Sequence, residues 1–285
     1  MGRVMTELGA RLGLNVHRDQ WPGTPLLKSY EAAGFAWVQV HTPPRPMLAD
    51  GERSRRHARA VRAALAPCGV RLLVHGPDDL SVGTIEHDRA FDGLLDYAAE
   101  AGAELVVCHP GHLGAAEERS LARLAGRAAG LGLIVALENL APVYPGLLLP
   151  GHDPRVVRDV VRRVGSPALG MLLDVGHAHI TACLHGDALE LAVRDVLDDV
   201  VLFNVHDNLG ARRHDITAPG IDPLKLDLHL PPGAGCLPWD RVAPLLAGHT
   251  APLMLEVERS HVASPATLAA VTTALLERPQ PAIAR

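Results

Sequence analysis

Eight short apolar runs recur along the chain at regular spacing, and no other sequence feature restricts the fold as sharply. They are Leu12–Val16, Ala36–Val40, Val70–Val74, Glu104–Cys108, Leu133–Leu137, Leu169–Leu173, Val200–Val205 and Pro252–Val257. Runs of this length with little polar alternation predict strands covered on both faces, and such strands pair in parallel. Between them lie alanine-, leucine- and arginine-rich stretches with helical spacing: Ser54–Ala66, Ile85–Ala101, Ala116–Ala129, Pro154–Val164, Asp187–Leu197, Pro238–Leu246 and Pro265–Leu276. Asp153-Pro154 and Ser264-Pro265 each set a capping side chain before a first-turn proline. Gly69, Gly102 and Gly130 are the expected C-terminal caps.

Strands alternating with helices eight times predict an α/β fold, a (β/α)8 TIM barrel with a parallel eight-stranded barrel. That architecture takes about 250 residues, and the chain has 285. An open doubly wound sheet is the competing fold, but no GxGxxG follows the first strand. With no linker, low-complexity tract or near-identical repeat, residues 1–285 read as a single domain. One connection is long: Asp207 to Leu237, rich in Gly, Pro, Asp and Arg, follows the seventh strand on the face where barrel enzymes carry their sites.

Composition narrows the function classes. A hydrophobic content of 48% excludes a disordered chain, and no window approaches the roughly 20 apolar residues of a membrane helix. The net charge is −5 and the only lysines are Lys28 and Lys225. A bulk basic face for a nucleic-acid backbone is therefore absent, and nucleic acid is not a favoured partner. The four cysteines form no CxxC pair, and the N-terminus has no signal-peptide pattern. Free thiols in a reducing cytoplasm are the expectation.

Sixteen histidines are present, and their placement is what matters. The third run ends in His75, the fourth in His109 and the fifth in Glu138. The sixth leads to Asp174 and His177, the seventh to His206 and Asp207, and the eighth to Glu256. The long connection adds Asp227 and His229. One ionisable group after a buried run is commonly a satisfied core residue. Repeated at six consecutive strand ends, such groups converge on one barrel axis, where their burial and repulsion call for cations. A mixed His/Asp/Glu set suits Zn, Mn or Fe. Asn15 and His17 follow the first strand as pocket-lining or ordinary loop residues. His179 reads as structural, Glu258 is the alternative to Glu256 if the register shifts, and Cys108 and Cys236 neighbour the site.

On these residues the chain resembles the xylose-isomerase-like barrel superfamily of sugar isomerases, epimerases and endonuclease IV type nucleases. The ordered series LEN, DVGH, VHDN, DLHLPPGAG and LEVE carries the resemblance. It implies a quartet of Glu138, Asp174, His206 and Glu256 around one catalytic metal. The likeness to the endonuclease IV type implies more: His75 and His109 with Glu138 around a first ion, the quartet around a second, and His177, Asp227 and His229 around a third. Two to three divalent transition metals are thus expected.

Three readings follow. The first is phosphoester hydrolysis of a small phosphorylated or sugar-like substrate, with Arg212 and Arg213 as phosphate clamps and Asn139 as a polar contact or outer-shell donor. The second is sugar isomerisation or epimerisation, with Glu138 and Glu256 exchanging the proton and His177 binding substrate. The third is a non-catalytic ligand-binding barrel. The oligomeric state is left open.

Overall fold

The computed structural model describes residues 7–80, 82–142, 150–211 and 226–278. Its strands are β1 (Leu12–Asn15), β2 (Trp37–His41), β3 (Arg71–His75), β4 (Leu105–Cys108), β5 (Ile134–Glu138), β6 (Leu169–Asp174), β7 (Val200–Val205) and β8 (Leu253–Leu255). Each pairs in parallel with its neighbours in sequence, and β8 closes on β1. All eight expected runs are therefore strands of one closed barrel. Helices surround it: α1 (Thr24–Ala33), α2 (Arg45–Leu48), α3 (Gly51–Leu65), α4 (Asp88–Ala101), α5 (Ala115–Leu131), α6 (Pro154–Val164), α7 (Val175–His185), α8 (Leu189–Val196), α9 (Trp239–Ala247) and α10 (Pro265–Leu276). No described helix is long and apolar enough to cross a membrane.

The helices use the signals the sequence offers, with some corrections. Asp153 accepts from the Arg155 amide at the start of α6, and Ser264 caps α10 through Thr267. In α6, Val157, Val160 and Val161 are buried at 3- and 4-residue spacing while Arg158 and Arg162 bond Asp159 and Asp199 outside. Gly102 caps α4 in the left-handed region, as expected. Gly130 does not end α5; the helix runs on to Leu131 and Gly132 is the cap, at φ 70°. Gly69 lies beyond the Ala66 cap of α3. Helices α1, α2 and α7 lie outside the expected helical stretches. Residues Val175–Ala182 of α7 are all buried, so the helix lacks the polar face that would reveal its period.

Two apolar layers hold the barrel. The larger lies between strands and helices. The smaller fills the interior with Trp37, Leu73, Leu105, Val107, Ala136, Leu172, Leu202 and Met254. Gly13 takes part by absence: a Cβ there would lie 2.5 Å from the Met254 methyl and 2.8 Å from the Trp37 Cβ. Because side chains alternate along a strand, the residue two places beyond each interior position faces the axis again. Those residues are Gln39, His75, His109, Glu138, Asp174, Asn204 and Glu256, and His206 is two beyond Asn204. An apolar plug below and a polar ring above are thus the same stripe of each strand.

Candidate metal centre

The polar ring opens into a cavity of about 650 Å³ at the C-terminal ends of the strands, lined by His75, His109, Glu138, His177, Asp227, His229 and Glu256 among others. All nine residues expected to hold metal are among the described residues, and the fold brings eight of them into three adjoining groups, with Glu256 lining the same cavity. In the first, Glu138 Oε2 lies 3.4 Å from both His75 Nε2 and His109 Nε2. In the second, His206 Nε2 lies 3.0 and 3.2 Å from the two oxygens of Asp174. In the third, Asp227 Oδ2 lies 3.1 Å from both His177 Nε2 and His229 Nε2. His177 links the groups, with Nδ1 3.5 Å from Glu138 and 3.7 Å from Asp174.

The histidines are oriented by their second nitrogens. His75 Nδ1 donates to the Gly76 carbonyl at 2.6 Å, His177 Nδ1 to the Asn139 carbonyl at 2.8 Å, and His229 Nδ1 to the Glu256 carbonyl at 2.7 Å. Anchoring Nδ1–H on a carbonyl fixes the tautomer that leaves the Nε2 lone pair for a metal. His229 reaches its carbonyl from a left-handed backbone, φ 45°. His206 is placed by what is missing opposite it: a Cβ on Gly176 would come within 2.1 Å of its ring.

The charges in this pocket suit a bound cation. Glu138 Oε2 and Asp227 Oδ1 are buried with no hydrogen-bond donor among the described residues. A buried carboxylate oxygen without a donor is costly, and a divalent cation removes that cost. The proton equilibria tell the same story. Burial pulls the His75 and His229 imidazoles down, yet Glu138 beside the first and Asp227 beside the second outweigh it, raising them to about 9 and about 10. Against burial, Asp174 and Asp227 likewise raise His177. The surrounding histidines hold Glu138 and Asp227 well below the usual carboxylate range. Protons thus stand where cations fit, and the donor set of imidazole nitrogens and carboxylate oxygens suits Zn, Mn or Fe.

Some residues play parts the sequence did not reveal. Glu256 is held by Gln39 Nε2 at 2.7 Å and Asn204 Nδ2 at 2.9 Å. A glutamine inside the apolar run WVQVH was a legible sign of such a partner. Glu258 is exposed, which leaves Glu256 as the residue in the ring. Asn139, expected as a polar contact or outer-shell donor, is fully buried and donates to the Asp174 carbonyl while accepting from its amide, so it positions Asp174. Asp207 faces away from the cavity. Its carboxylate accepts from the amides of Asn208, Gly233 and Leu237 and from the Trp239 indole, fastening the long connection to the barrel. His179 bonds Asn208 and Cys183, a structural role as expected. His41, Arg18, Asp78 and Arg259 line the cavity without having been singled out, and Asn15 and His17 line it too. Arg212 and Arg213 lie outside the described residues.

Comparison with known proteins agrees with this architecture. A family model described as xylose isomerase-like TIM barrel matches residues 27–278. Among solved structures, a D-tagatose 3-epimerase-like protein superposes with a TM-score of 0.71 at 18% identity, covering 94% of this chain and 97% of that one. A xylose isomerase domain protein from Planctomyces limnophilus gives 0.65 at 19%, covering 93% and 95%. D-psicose 3-epimerase from Clostridium cellulolyticum H10, solved with D-tagatose, gives 0.65 at 14%, covering 93% and 96%. At these identities the likeness is one of fold. No curated protein matches the sequence. With a family model covering nearly the whole barrel, the chain belongs to the xylose isomerase-like TIM barrel family.

Proposed function

We propose that this protein is a multinuclear, divalent-metal-dependent enzyme that hydrolyses a phosphoester bond of a small phosphorylated or sugar-like substrate. The observation that carries the reading is the third ligand group. His177 and His229 face one oxygen of Asp227, beyond the four residues that a single-metal site requires. His75, His109 and Glu138 would hold a first ion; Glu138, Asp174, His206 and Glu256 a second; His177, Asp227 and His229 a third. When bound, such ions supply a hydroxide near neutral pH and polarise the phosphoryl oxygens. The chain's own residues do the rest. Asn139 fixes Asp174, Gln39 and Asn204 fix Glu256, and three backbone carbonyls fix three imidazoles. The net charge of −5 disfavours a duplex substrate and favours a small one.

A second reading, sugar isomerisation or epimerisation, is favoured by one feature: Glu138 and Glu256 both line the cavity, as two carboxylates exchanging a proton with substrate must. The likeness to epimerase structures supports it at the level of fold. Elemental analysis of protein purified without chelator, followed by phosphoesters and free ketoses assayed with and without chelator, separates the two. Two to three ions per chain and chelator-sensitive phosphate release are expected. One ion, not raised by added Zn²⁺ or Mn²⁺, with ketose turnover and no phosphate release overturns the hydrolytic reading.

A further inference from the structure

The turn after β3 places a carboxylate where the sequence pattern had none. We propose that Asp78 is an additional ligand of the first ion, completing with His75, His109 and Glu138 a site of two imidazoles and two carboxylates. The assignment extends the multinuclear reading above and adds a residue to it.

The geometry is specific. One ligand atom each from His75, Asp78 and His109 lie within 4.8 Å of one another. The same two imidazoles also lie 3.4 Å from Glu138 Oε2 through their Nε2 atoms, and Asp78 joins them from the turn after β3. Its position is built in. Gly76 N–H donates to the Val107 carbonyl at 3.0 Å, which ties the chain leaving β3 to β4. Pro77 then restricts the backbone, and its carbonyl accepts from Leu80 N–H at 3.0 Å, closing a turn with Asp78 and Asp79 at its centre. The two aspartates diverge. Asp79 pairs with Arg45, with Nε to Oδ2 at 3.4 Å, while Asp78 lines the cavity and its Oδ1 accepts from Arg18 at 2.6 Å.

Arg18 does not preclude ligation. A carboxylate has two oxygens and about four lone-pair directions, so one oxygen can hold a guanidinium while the other binds an ion. Charge favours the arrangement too: Glu138 is shared with the second ion, so a further carboxylate adds negative charge beside the first. The Asp78 side chain is 51% exposed, against 4% for His75, 18% for His109 and 2% for Glu138. It is therefore the most solvent-exposed member of the group.

The test uses full-length protein stripped of metal and titrated with Co²⁺, reading d–d absorption and stoichiometry. Zn²⁺ affinity is then measured by competition with a chromophoric chelator. Wild type, D78A, D78N and D79A are compared, with far-UV circular dichroism as the check on folding. Loss of a partner that only orients a ligand typically lowers metal affinity 10–100-fold. D78A and D78N are accordingly expected to weaken one ion by about 100-fold or more and alter the Co²⁺ spectrum, while D79A matches wild type. Wild-type affinity, stoichiometry and spectrum in folded D78A and D78N would overturn the assignment. If wild type takes a single ion and D78N still weakens it, the multinuclear reading falls and the Asp78 assignment stands.

Discussion

Removing the Asp207 carboxylate tests the account of the long connection most directly. Asp207 is fully buried. Oδ1 accepts from Asn208 N at 2.8 Å and Leu237 N at 3.1 Å; Oδ2 accepts from Gly233 N at 2.9 Å and Trp239 Nε1 at 2.7 Å. Packing around it is tight enough that a Cβ on Gly235 would lie 2.3 Å from Oδ1. Asp207→Ala leaves four donors without their acceptor, each worth about 1–3 kcal/mol when buried and unsatisfied. Water entering the vacated space recovers part of this, so the low end of the sum applies, about 4 kcal/mol. In a chain of this size roughly 2 °C of Tm accompanies each kcal/mol, giving a fall of about 8 °C. Asp207→Asn keeps one acceptor oxygen but turns an NH2 group toward two N–H donors, and is expected to cost at least about 2 kcal/mol. Thermal and urea unfolding with chelator present isolates the term from metal binding. A Tm within about 2 °C of wild type for both variants would refute the clamp.

Three further outcomes are expected. Gly176→Ala drives a methyl into His206, whose ring lies 2.1 Å from the ideal Cβ; elemental analysis should find about one ion fewer, with about 1–3 kcal/mol of stability lost to overpacking, and full metal content would contradict the placement of His206. Gln39→Leu deletes the donor to Glu256 Oε1 and is expected to lower affinity for the ion held there by roughly 10–100-fold; an unchanged competition titration would refute the role. The third concerns pH: in metal-free protein His75 and His229 titrate at about 9 and about 10, above the ordinary value near 6.5. The folded state then binds these protons more tightly than the unfolded state. Their contribution is complete below about pH 6.5 and is lost as pH rises through 9 to 10. The Tm of chelator-treated protein should therefore fall across that range, and a flat profile would count against the cluster's geometry.

Much of this was legible from residues alone because two periods coincide. The length of each apolar run made it a buried strand, and the alternation of side chains put His75, Glu138, Asp174 and Glu256 on the same stripe as Leu73, Ala136, Leu172 and Met254. A closed barrel aims such stripes at one axis, so the ring of ligand types followed from local pattern and strand count. The same logic could have found Gln39, whose amide sits on the interior stripe of β2 between Trp37 and His41. It also separates His206, which continues the stripe of Leu202 and Asn204, from Asp207, but does not show what Asp207 does instead. Adjacent residues leave the strand end in opposite directions, and only the packed connection shows that one meets Asp174 while the other gathers four donors.

What the sequence by itself determined, then, is the barrel, its eight strands and the side chains that face its axis, because these depend on contacts repeated every two residues. Tertiary structure alone decided which carbonyl anchors each imidazole, that Asn139 serves Asp174, and that Asp78 and not Asp79 turns inward. Those choices depend on atoms brought together from different strands and loops, often tens of residues apart, and no local period encodes them.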